Sequence, residues 1–216
     1  MNRYLSLSVV LIISISIILG CKDEPMNLST ARKHVKDYYD SGKYEKELNS
    51  IIKNAKDEFE VVAIKENSVV LFDVDETALN NYELAESMGF GYVYQMNKQW
   101  NAEMKSPAFT QVKELYDFLI NKGARIIFLT GRNIPEYEVT YENLIKEGYT
   151  KFDTLITQRE HESDLSAQEF KSFKRKELVE KGYEIIGTVG DQWSDLKGEY
   201  HGIQVKIPNY LYLIGD

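Results

Sequence analysis

The sequence predicts an α/β fold, a parallel sheet with helices on both faces. Short apolar runs at 68–73, 125–129, 152–156, 184–189 and 203–207 read as buried strands. Helical patterns fall between them at 110–121, 135–147 and about 172–181. Two of the strands close on acidic turns, Phe72-Asp73-Val74-Asp75-Glu76-Thr77 and Gly190-Asp191-Gln192-Trp193-Ser194-Asp195. Carboxylates just past a buried strand are costly unless a cation or reaction chemistry compensates them. If the two strands lie side by side the turns converge, and the site would suit a hard cation such as Mg²⁺.

Residues 1–20 do not read as part of this fold. Arg3 precedes an apolar stretch from Tyr4 to Leu19, and polar Lys22-Asp23-Glu24-Pro25 follows. That is the layout of a secretory signal, short for a spanning helix of roughly 18–20 apolar residues. Ile18-Leu19-Gly20-Cys21 resembles the lipobox of bacterial lipoproteins. The resemblance implies cleavage before Cys21, its acylation, and a lipid-anchored protein of the bacterial cell envelope, at the outer membrane or cell surface in some bacteria. Cys21 is the only cysteine, so no intramolecular disulfide can form.

Residues 21–30 read as a tether and 31–216 as one domain. The domain starts with a short helix carrying Val35, Tyr38 and Tyr39. After Gly42 comes a longer one, with Tyr44, Leu48, Ile51, Ile52, Ala55, Phe59 and Val62 at helical spacing. Pro135 fits a first helical position, and Gly123, Gly148 and Gly182 stand where helices should end. Residues 80–106 break the rhythm. They hold Tyr82, Phe90, Tyr92, Tyr94 and Trp100 with no clean helix or strand pattern, and they read as a cap inserted after the first acidic turn.

Composition sets outer bounds. With 43% hydrophobic and 28% charged residues, 216 residues can bury a full core without a metal or disulfide staple. A formal charge of −8 argues against nucleic acid as the main partner.

Asp73-Val74-Asp75-Glu76-Thr77, Phe128-Leu129-Thr130-Gly131-Arg132, a later lysine and Gly190-Asp191-Gln192-Trp193-Ser194-Asp195 together resemble the haloacid dehalogenase superfamily. The resemblance is to its acid phosphatase branch, with the plant acid phosphatases, the vegetative storage proteins and bacterial acid phosphatase lipoproteins. It spans roughly residues 60–216, including Gly89-Phe90-Gly91 and Lys206-Ile207-Pro208-Asn209. It implies a Rossmann-like sheet and Mg²⁺-dependent hydrolysis of phosphomonoesters. It further implies Asp73 as nucleophile, Asp75 as acid and base, and Thr130 with Gly131 as phosphate ligands. Mg²⁺ would be held by Asp73, the Asp75 carbonyl, Asp191 and, through water, Asp195.

Such roles agree with what the chemistry requires, since phosphoryl transfer rests on positioning and charge neutralisation. The active-site lysine is Lys171 or, second, Lys174. Most of the run Lys171, Lys174, Arg175, Lys176 should form a solvated helix face. Ser166 with Glu169 could start that helix early, or Ser172 could cap it and leave Lys171 ahead of it. Arg132 either touches phosphate or lies on the surface. Trp193 reads as packing, and His34, His161 and His201 as surface residues. The cap aromatics would suit a nucleotide or aryl phosphate, or would simply pack the cap. Two other outcomes stay open, a storage or binding protein on the same scaffold and a phosphotransferase. Oligomeric state is not legible.

Overall fold

The computed structural model describes residues 25–215, so the signal segment 1–20 and the lipidation residue Cys21 lie outside the described residues. Five parallel strands form the sheet: β1 (Ser68–Phe72), β2 (Arg125–Asn133), β3 (Thr154–Gln158), β4 (Glu184–Gly190) and β5 (Ile203–Lys206). Their order is β3-β2-β1-β4-β5, so the chain runs outward from β1 on one side and resumes on the other with β4. The crevice at the strands' carboxyl ends beside β1 is where such sheets bind ligands.

Alternation along the strands sorts the core into two layers. Val70, Phe72, Ile126 and Phe128 face one side, and Val69, Leu71, Ile127 and Leu129 face the other. The first layer packs on α2 (Lys43–Glu60) and α5 (Thr110–Asn121) through Leu48, Ile52, Phe59, Val112, Leu115 and Leu119. The second packs on α7 (Ala167–Glu180) through Phe170 and Leu178. Each such fully buried side chain is worth about 1.5–3 kcal/mol. Helices therefore cover both faces, as the alternating pattern predicts.

The remaining helices are α1 (Leu28–Asp40), α3 (Tyr82–Ser87), α4 (Tyr94–Ala102), α6 (Tyr137–Lys146) and the single turn α8 (Trp193–Leu196). Gly123, Gly148 and Gly182 do follow helices, with φ of 88°, 89° and 93° that favour glycine.

Four expectations need correction. The tether is shorter than 21–30, because the Asn27 side chain accepts the Ser29 N–H and starts α1 at Leu28. The cap is not irregular: it folds as α3 and α4, helices too short to show a clear period in sequence. The third strand begins at Thr154, opposite Ile127, and not at residue 152. The helix expected at 172–181 starts at Ala167, because Ser166 and Glu169 form a reciprocal cap. Lys171 thus lies inside α7 and not ahead of it.

Nor is the basic run on α7 a solvated face. Lys171, Lys174 and Arg175 are all buried. Lys174 Nζ donates to Glu162 at 2.5 Å and to Glu177 at 2.9 Å, and Arg175 Nη1 donates to the Asp195 carbonyl at 2.6 Å. Burial of these cations is tolerated because the two lysines are paired with carboxylates and the Arg175 guanidinium is hydrogen-bonded to carbonyls.

Candidate active site

The end of β1 is tied to its neighbour by the Asp73 N–H, which donates to the Val189 carbonyl at 2.9 Å. The chain then turns sharply, with the Leu79 N–H bonded to the Val74 carbonyl at 2.8 Å. Glu76 takes φ of 54°, an uncommon conformation for a non-glycine residue and one that collects at functional turns. On β4, Gly190 leaves room for Asp195, since a Cβ there would lie 2.4 Å from its side chain.

One cavity of about 610 Å³ is lined by Asp73, Asp75, Thr130, Gly131, Lys171, Asp191 and Asp195. All the site residues expected inside the domain are thereby brought together. Lys174 is not among them and stays with Glu162. Lys171 reaches in from α7, where Nζ bonds Asp73 Oδ1 at 2.5 Å and also Asp195 Oδ1. Asp191 is oriented by Gln192 Nε2 at 2.6 Å and Asn209 Nδ2 at 2.7 Å, both donating to its Oδ2. Asp195 Oδ2 accepts the Gln192 N–H at 2.9 Å. Thr130 Oγ1 accepts the Arg132 N–H at 3.1 Å, while exposed Gly131 presents backbone to the cavity.

Charge is out of balance here. Asp73, Asp191 and Asp195 are buried, with one carboxylate oxygen of each within 4.8 Å of those of the other two. At 4–5 Å two like charges repel by roughly 3–4 kcal/mol at an effective dielectric near 20. Burial pushes the Asp73 carboxyl well above its ordinary value, against the pull of Lys171, and the Asp195 and Asp191 charges add to it. Burial likewise pushes Asp191 up to about 7, again helped by Asp195. Asp195 and Asp73 in turn raise Lys171 despite its burial. One ammonium does not neutralise three carboxylates. The all-oxygen donor set and its excess negative charge fit a hard divalent cation, which would be bound by Asp73, Asp191 and Asp195.

The family model described as HAD superfamily, subfamily IIIB (Acid phosphatase) matches residues 20–214. The chain belongs to this family. It is therefore a phosphomonoesterase by class, and the fold and catalytic class expected from sequence stand. Among its relatives, Acid phosphatase 1 of Solanum lycopersicum is 31% identical over 188 residues, covering 84% of this chain and 73% of the relative. The Stem 31 kDa glycoprotein of Glycine max is 31% identical over 185 residues, covering 83% and 72%. Vegetative storage protein 1 of Arabidopsis thaliana is 31% identical over 193 residues, covering 86% and 71%. The class C acid phosphatase of Bacillus anthracis, solved with tungstate bound, superposes with a TM-score of 0.68 at 18% identity. That match covers 86% of this chain and 85% of that one, and it shows the fold.

The site also holds residues that sequence reasoning passed over or left open. Arg132 is buried, forks onto Asp75 and lines the cavity, so it is not a surface residue. Burial pushes the Glu76 carboxyl up to about 8, aided by the nearby Asp75 charge, and it accepts bonds from the Asn81 N–H and the Tyr212 hydroxyl. Asn81 and Asn209 brace Asp75 and Asp191. Asn209 stands three residues past β5 and closes the Lys206-Ile207-Pro208-Asn209 stretch of the family resemblance, which marked it without giving it a role. Tyr212 carried no signal, because nothing local shows that the C-terminal segment returns to the cavity.

Proposed function

We propose that this chain hydrolyses small phosphomonoesters through an aspartyl-phosphate at Asp73, with Mg²⁺ as cofactor. The observation that carries the reading is the placement of Asp73, Asp75, Lys171 and the Thr130–Gly131 backbone around one cavity.

An Asp73 carboxylate oxygen attacks phosphorus and the bond from phosphorus to the leaving oxygen breaks. Despite its burial, the Asp75 carboxyl is held below its ordinary value by Arg132 and Asn81. Asp75 therefore takes up a proton once the phosphate's negative charge is beside it and passes that proton to the leaving oxygen. Asp75 then takes a proton from the water that attacks the aspartyl-phosphate, releasing inorganic phosphate and restoring Asp73. Thr130 and the Gly131 N–H hold the phosphoryl oxygens, while Lys171 pulls Asp73 toward its ionised form and offsets substrate charge. Mg²⁺ held by Asp73, the Asp75 carbonyl, Asp191 and Asp195 would supply further neutralisation of the phosphoryl group. Presence of Asp73 and all its partners favours catalysis over the storage role that the names of two relatives suggest.

The test is a phosphomonoester panel assayed for phosphate release, with acid-quenched protein mapped by mass spectrometry. Turnover and a phosphorylated Asp73 peptide are expected. Near-normal turnover by Asp73→Asn overturns the mechanism.

We also propose that the mature protein is lipid-anchored through Cys21, a reading supported by Ile18-Leu19-Gly20-Cys21 after a short apolar stretch. Palmitate labelling of wild type but not of Cys21→Ser is expected. Equal labelling of both rules it out. Multiple acyl chains hold a membrane far more firmly than one.

A further inference from the structure

A chain of hydrogen bonds runs from the cap to Asp75, and it has a fixed direction. The Trp100 indole on α4 can only donate, and its Nε1 lies 2.8 Å from Ser106 Oγ. Ser106 therefore accepts there and has one proton left, which it gives to Asn81 Oδ1. At the far end Arg132 donates to both Asp75 oxygens, making that group an acceptor. Asn81 must then face Asp75 with its amide N–H, and Nδ2 does lie 2.9 Å from Asp75 Oδ1. The Asn81 amide is thus oriented from both sides. Ser106 is fully buried and Asn81 nearly so, which limits competition from water. The Ser106 carbonyl is itself held by Asn143 Nδ2 of α6 at 2.8 Å, and the Asn80 N–H meets the Pro107 carbonyl at 2.8 Å.

We infer that Asn81 is a positioning residue for Asp75, and that Trp100 and Ser106 set its orientation, so the cap's own sequence governs proton delivery to the leaving group. The inference rests on the reading of Asp75 as proton donor. As the bond from phosphorus to the leaving oxygen breaks, the Asp75 proton moves to that oxygen and Asp75 becomes a carboxylate. The Asn81 N–H and the Arg132 fork are placed to receive that carboxylate. Trp100 and Ser106 touch neither substrate nor the reacting atoms; they act only through Asn81.

The experiment compares kcat/KM for p-nitrophenyl phosphate, whose leaving group departs without a proton, and for an alkyl phosphate, whose leaving group needs one. Both substrates are measured on the same preparation, so the ratio does not depend on the fraction folded. Asp75→Asn should raise the aryl-to-alkyl ratio by roughly 100-fold or more, the usual scale of general-acid assistance. Ser106→Ala and Asn81→Ala should each raise it about 10-fold, a partial loss of that assistance. A ratio within about 3-fold of wild type in both, with Asp75→Asn strongly shifted, overturns the positioning chain and leaves Asp75 as the acid. An unshifted ratio in Asp75→Asn overturns the reading of Asp75 and the inference with it.

Discussion

Arg132 grips Asp75 through both carboxylate oxygens, Nε to Oδ2 at 2.9 Å and Nη2 to Oδ1 at 2.6 Å. Its Nη1 is braced by Thr140 Oγ1 of α6 at 3.1 Å. Lysine would keep the charge and lose the planar fork. Arg132→Lys should therefore lower kcat by about 10-fold or more through misplaced proton transfer. Its Tm should change by only a few degrees, which steady-state kinetics and a thermal melt would check together.

The acidic cluster gives a metal prediction that does not depend on activity. A cation bound only by the folded chain adds RT ln(1 + [L]/Kd), about 2.7 kcal/mol at a hundred times Kd. Adding Mg²⁺ to chelator-treated protein should raise Tm by several degrees, and Asp191→Asn should abolish most of the rise. Chelation should also stop phosphate release until Mg²⁺ is restored. Full activity after exhaustive chelation, with metal content verified, would reject the site.

Away from the cavity, Glu162 and Lys174 form a buried pair at 2.5 Å. Burial alone would raise the Glu162 carboxyl, but the Lys174 and Arg159 N–H hydrogen bonds hold it below its ordinary value of 4.5. Its contribution is thus present above pH 4.5 and is lost as pH falls through the lower folded value. Lys174→Met strands the carboxylate and should cost about 3 kcal/mol at neutral pH. Chemical denaturation from pH 7 downward should show the gap to wild type starting to narrow above pH 4.5, where the stranded carboxyl of the variant takes up its proton, and closing as pH falls through the lower wild-type value.

The cap aromatics separate by position. Tyr92 and Tyr94 are both exposed, but Tyr92 lines the cavity and Tyr94 does not, and the Trp100 ring is committed to Ser106. Aromatic stacking is worth about 1–3 kcal/mol per base, so Tyr92→Ala should raise KM for aryl phosphates about 5- to 150-fold and spare small alkyl phosphates. Tyr94→Ala should match wild type, and Trp100→Ala should lower Tm. Equal KM shifts for all substrates in Tyr92→Ala would make that ring structural.

Much of this molecule was legible because its signals are local. Alternating strands and helices, the glycine ends and the two acidic turns each announce themselves within a few residues. Asp73, Asp191, Thr130 and Lys171 were placed by that pattern together with the family resemblance. What stayed hidden depends on partners distant in sequence. Nothing beside Arg132 reveals that it meets Asp75, and nothing beside Lys174 reveals Glu162. The basic run on α7 looks solvated until those acids fold against it. The cap helices α3 and α4 span only one and a half to two and a half turns, too few for apolar periodicity to declare itself.

The strand order has a consequence for biosynthesis. β1, β2 and β3 are contiguous in the chain and can pair in sequence, but β4 inserts on the opposite side of β1 only after all three have been made. Asp191 and Asp195 arrive with it. A ribosome adding about 5–20 residues per second therefore carries, for seconds, a nascent chain that displays Asp73 with no counterpart across the crevice. During that interval the chain has an open β1 edge to protect and no assembled catalytic centre, so the same late strand that covers this edge also brings in the acids that complete the site.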